Sequence, residues 1–93
     1  MTIAEKTNEL IAALTVAAEV EANDPGDVRG WERQAEVIRG LLDGNVELAD
    51  LAPHFVWHYL ADADIRQKEP AYRAIQLREL LEAVNALRHT HAA

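Results

Sequence analysis

The chain has 93 residues, 49% of them apolar and 27% charged, carries a formal net charge of −7 and contains no cysteine. Such a chain suits one folded domain rather than a disordered segment, and disulfides and thiolate metal sites are excluded. No apolar run approaches the roughly 18 residues of a membrane span and the first residues carry no leader pattern, so a cytoplasmic protein that does not associate with membranes is expected.

The charge is unevenly placed. Residues 1–50 hold eleven acids against four bases (Lys6, Arg29, Arg33, Arg39), whereas residues 51–93 hold five of each. An acidic half repels phosphate backbones and attracts basic surfaces, which speaks against direct nucleic-acid binding and for a protein partner with a basic face.

In chain order, Thr2-Ile-Ala-Glu5 has the form of a capping box that opens a first helix running to about Ala22, where Asn23-Asp24-Pro25-Gly26 stops it. Ile3, Leu10, Leu14 and Ala17, with Ile11 and Ala18 beside them, share one face, while Val16 and Val20 project away from it. A second helix starts at Asp24-Pro25 or at Asp27 and carries Val28, Trp31, Ala35, Ile38 and Leu42 on one stripe, bordered by Leu41. Trp31 is expected in the core, with Glu32 and Glu36 outside. Gly44, in Asp43-Gly44-Asn45, suits a left-handed terminal position.

Val46–Ala52 reads as a short extra helical turn, and Pro53 predicts a bend near Ala52. The stretch from Pro53 to Arg73 holds Phe55, Trp57, Tyr59 and Tyr72, four of the five aromatic residues. Phe55, Val56, Tyr59, Leu60 and Ala63 converge on one helical face, and Trp57 falls off it. Residues 62–69 lack an apolar period and read as a connector to a last helix that Pro70 can start. That helix shows a stripe of Leu77, Leu80, Leu81, Val84 and Leu87 up to about Arg88, with residues 89–93 as a frayed tail, and Tyr72 and Ile75 nearly opposite the stripe. The fold expected over residues 1–93 is therefore a single all-α, four-helix bundle-like domain with a short extra turn before Pro53.

Three off-face apolar groups (Val16/Val20, Trp57, Tyr72/Ile75) predict an interface with another chain. Serine and cysteine are both absent and no phosphate-binding glycine loop can be written, so no enzyme activity is expected. The favoured function is a protein-binding module: an inhibitor, an antitoxin-like or anti-defence-like factor, or an accessory subunit. In it Trp57, Tyr72 and Ile75 anchor the partner and Glu19, Glu21, Asp24 and Asp27 steer it. One alternative is a site for a transition metal such as zinc at His54, His58 and Asp62, which follow one another at four-residue spacing along one helix line. Another is a homodimer that closes the off-face apolar groups.

Overall fold

The computed structural model describes residues 3–90, and in it six helices follow one another: α1 (Ile3–Asn23), α2 (Val28–Asp43), α3 (Val46–Leu51), α4 (His54–Ala61), α5 (Ala63–Lys68) and α6 (Pro70–Thr90). No strand occurs among the described residues. α1 lies at the centre of the packing, against α2, α3 and α6, while α4 and α5 lean on α6. The chain is an all-α bundle-like domain, as its periodicity predicts.

Local chemistry explains where the helices begin. The Asp27 carboxylate accepts the Gly30 N–H at 3.0 Å and caps α2, so the helix starts at the later of its two candidate positions. Asn45 does the same for α3, accepting the Leu48 N–H at 3.1 Å. Ala52, held extended by the following proline (φ −63, ψ 133), and Pro53 itself (φ −56, ψ 140) make the expected bend, and α4 starts one residue later. Pro70 opens α6 as expected. Thr2, half of the expected capping box, lies outside the described residues.

Leu10, Leu14, Ile38, Leu42, Leu48, Val56, Leu80 and Leu87 are fully buried and bring five of the six helices into one core. Each such side chain contributes about 1.5–3 kcal/mol by leaving water. Trp31 is in the core as expected, and its indole N–H donates to the Asp24 carbonyl at 3.2 Å, tying the α1–α2 turn to α2.

Four expectations need correction. Residues 62–69 are not a plain connector, because they include α5. Its one inward side chain is the charged Arg66, so no apolar period announces it. Leu81 does not belong to the buried stripe of α6, being 52% exposed, since the inward face runs through Gln76, Leu80, Ala83, Val84 and Leu87. Gly44 is right-handed (φ −81, ψ −6) rather than left-handed, because the chain passes directly into the extended cap Asn45 (φ −151, ψ 106). Finally, α6 continues to Thr90, and His89 Nδ1 lies 2.8 Å from the Asn85 carbonyl, so the helix runs past the expected stop at Arg88. The rest of the expected frayed tail, residues 91–93, lies outside the described residues.

Candidate functional site

α4 has two faces with different jobs. Val56, Tyr59 and Leu60 point into the core, while His54, Trp57, His58 and Ala61 are exposed and, at 3.6 residues per turn, form one continuous outward strip. Trp57 is 38% exposed, and its indole N–H has no hydrogen-bond acceptor among the described residues. His54 and His58 meet edge to face with ring centroids 4.8 Å apart. Their ring nitrogens likewise make no hydrogen bond among the described residues.

Beneath this strip lies a buried polar cluster that sequence reasoning missed. Arg66 is buried, and its Nε donates to both carboxylate oxygens of Glu21 at 3.1 and 3.0 Å while Nη2 donates to Oε1 at 2.9 Å. Its Nη1 donates to the Tyr59 carbonyl and, at 2.8 Å, to Gln76 Oε1. The guanidinium lies 3.9 Å over the Tyr59 ring, whose hydroxyl donates to Glu21 Oε1 at 3.0 Å. The cluster joins α1, α4, α5 and α6. No buried side-chain polar atom among the described residues is left without a partner, which is the condition under which a buried charge pair is tolerated. Burial, reinforced by the Glu21 charge, pushes the Tyr59 phenol well above its ordinary value.

The cluster continues outward. Gln76 Nε2 donates to Asp62 Oδ2 at 2.9 Å and to the Tyr72 oxygen at 3.1 Å, and the Tyr72 hydroxyl donates to the same Asp62 oxygen at 2.7 Å. The Tyr72 hydrogen bond holds the Asp62 carboxyl below the usual carboxylate range, helped by Gln76 and nearby His58 and opposed by partial burial. The same bond raises the Tyr72 phenol.

These contacts redistribute the residues singled out from the sequence. Trp57 and Ile75 are exposed, Ile75 by 45%, and Tyr72 is half-buried with its hydroxyl committed to Asp62. Glu19 and Asp24 are exposed and Asp27 is half-buried at its cap. Glu21 is corrected: with 0% exposure and its charge spent on Arg66, it is no surface acid and steers nothing. One signal foretold this, because Glu21 stands seven residues after Leu14 and four after Ala17, on the buried face of α1. Gln76, four residues before Leu80, sits on the inward face of α6 in the same way.

The triad His54, His58 and Asp62 is also corrected. α4 ends at Ala61 and Asp62 (φ −102, ψ 17) is its cap, with its N–H still donating to the His58 carbonyl at 3.1 Å but its carboxylate taken by Tyr72 and Gln76. No three His, Asp or Glu side chains among the described residues come together in a way that would hold a metal ion.

A shallow cleft lies between α2 and the α4–α5 junction, lined by Val28, Glu32, Glu36, Arg39, Ala61, Ala63, Asp64 and Gln67. Arg39 closes one side by donating to the Leu60 carbonyl at 3.0 Å. No helix among the described residues is long and apolar enough to cross a membrane. The chain matches no family model, no curated protein and no solved structure among those compared.

Proposed function

We propose that this chain is an acidic helical protein-binding module of the cytoplasm, acting as an inhibitor, an antitoxin-like or anti-defence-like factor, or an accessory subunit. The observation that carries the reading is the exposure of Trp57, together with Ile75 among several exposed aliphatic side chains (Val16, Val37, Val46, Ile65 and Leu81), on a scaffold whose buried side-chain polar atoms are all paired among the described residues. A half-exposed tryptophan costs solvation in an isolated chain and is the side chain most over-represented where binding energy concentrates. Tyr72, half-buried, is held in place by its hydrogen bond to Asp62. Glu19, Asp24 and Asp27, within a net charge of −7, supply attraction toward a basic partner surface.

The test is to isolate the partner by crosslinking in native extract and to titrate it with variants. Trp57→Ala is expected to weaken binding by about 2 kcal/mol or more, as a central anchor does. Reversing Glu19, Asp24 and Asp27 to lysine slows association and removes its salt dependence. Unchanged binding in both variants rules the reading out.

A further inference from the structure

We infer that the outward face of α4 carries half of a zinc site, completed by the same face of a second copy of this chain: His54 and His58 from each of two protomers make one four-imidazole centre. The inference goes beyond the proposed binding function and does not rest on it.

The geometry of the pair comes first. His54 and His58 stand one helical turn apart on an exposed face, with ring centroids 4.8 Å apart. Two imidazoles on one tetrahedral zinc, with Zn–N distances of about 2.0–2.1 Å, place their ring centroids roughly 5 Å apart. The centroid separation thus matches that of two ligands on one ion, and each exposed ring has only to turn about its own side-chain bonds to aim a nitrogen at it. Neither ring is committed to a hydrogen bond among the described residues, unlike His89, whose Nδ1 meets the Asn85 carbonyl.

The count of ligands comes next. Zinc in a closed site takes four protein ligands, and this chain offers two. Asp62, the natural third by spacing, is turned away by its bonds to Tyr72 and Gln76. No other His, Asp or Glu among the described residues completes a set of three. The missing pair must come from outside, and a two-fold axis through the metal supplies an identical pair.

The surroundings suit such a contact. The strip that holds the two histidines is short, carries the small Ala61 where two helices would cross closely, and places Trp57 beside His58 as an apolar flank. His54, Trp57, His58 and Ala61 carry no carboxylate, so two copies meet there without like-charge opposition from the strip itself.

The experiment is native mass spectrometry and sedimentation velocity of the full chain, first with EDTA and then with zinc chloride titrated from substoichiometric to equimolar. The expected result is a monomer in EDTA and a dimer carrying one zinc per two chains as zinc is added. His54→Ala and His58→Ala should each abolish the zinc-dependent dimer while leaving the circular dichroism of the metal-free protein unchanged. His89→Ala/His91→Ala and Asp62→Asn should retain it. A zinc-loaded monomer, a dimer that persists in EDTA, a dimer that survives in His58→Ala, or a dimer lost in His89→Ala/His91→Ala each overturns the inference. Because these measurements contain no partner protein, their failure leaves the binding function to its own test.

Discussion

Arg66 and Glu21, 45 residues apart in the chain, form a buried ion pair in which Nε and Nη2 of the guanidinium both reach the carboxylate within 3.1 Å. α5 is a helix of six residues that packs on α6, and through Arg66, its buried side chain, the pair ties it to α1 as well. Removing one partner leaves the other charge buried and unmatched. Glu21→Leu and Arg66→Met are each expected to lower stability by about 3–5 kcal/mol. Replacing both with apolar residues, as in Glu21→Leu/Arg66→Met, should recover most of the loss, because the desolvation cost vanishes along with the attraction. Urea unfolding midpoints of the three variants decide it, and additive losses in the double variant would refute it.

The acid limb of stability should depend on Asp62. Its carboxyl is depressed in the folded state chiefly by the Tyr72 hydroxyl, so its contribution is present above the unfolded carboxyl value near 3.8 and disappears as pH falls through the lower folded value. Tyr72→Phe should bring the Asp62 carboxyl back toward the ordinary range, read as a later chemical-shift midpoint in a carbon-13 titration. Asp62→Asn should flatten the acid limb of the unfolding curve. An unmoved midpoint in Tyr72→Phe would show that the hydrogen bond does not set the value.

At the alkaline end the sign reverses. The Tyr59 phenol is raised above 10.0, mainly by burial, so its contribution is complete below the unfolded value and is lost as pH climbs toward the folded one. Ultraviolet titration of the folded protein should show no phenolate signal with an ordinary midpoint, since Tyr72 is raised as well. Tyr59→Phe should remove the last transition.

Leu80 and Leu81 are neighbours in sequence and about 100° apart round α6, which puts Leu80 at 0% exposure and Leu81 at 52%. Leu80→Ala should cost about 2–5 kcal/mol through lost burial and the cavity left behind. Leu81→Ala should stay within about 0.5 kcal/mol. Equal losses would mean that α6 is rotated relative to the face described.

Two glycines of α2 should respond differently to the same change. Around Gly40 an added Cβ meets nothing within 4 Å, so Gly40→Ala should stabilise by about 0.5–1 kcal/mol through reduced backbone entropy. At Gly30 an added Cβ meets the Asp27 carboxylate that caps the helix. The gain in helix propensity there is offset by about 1 kcal/mol of disturbed cap, so Gly30→Ala should be near neutral. Thermal midpoints of the two variants make the comparison.

Five of the six helices and most of the core are legible in the amino-acid pattern, because they follow from interactions within a few residues, whereas α5, with no apolar stripe of its own, is not. Apolar side chains at 3.6-residue spacing placed Leu10, Leu14, Trp31, Ile38, Leu42, Val56 and Leu80 inside. Short polar caps and prolines fixed the breaks at Asp27, Asn45, Pro53 and Pro70. Which buried polar residues pair with one another follows from how distant helices meet. Glu21 stands at an inward register of α1, but nothing local says what would neutralise it there, and Arg66 reads as one more charge in a polar connector. Their burial depends on α1 and α5 meeting so that each neutralises the other, a pairing across 45 residues that no local pattern encodes. The tertiary structure likewise took the Asp62 carboxylate out of the His54/His58 line, because Tyr72 and Gln76, 10 and 14 residues further along the chain on α6, hold it.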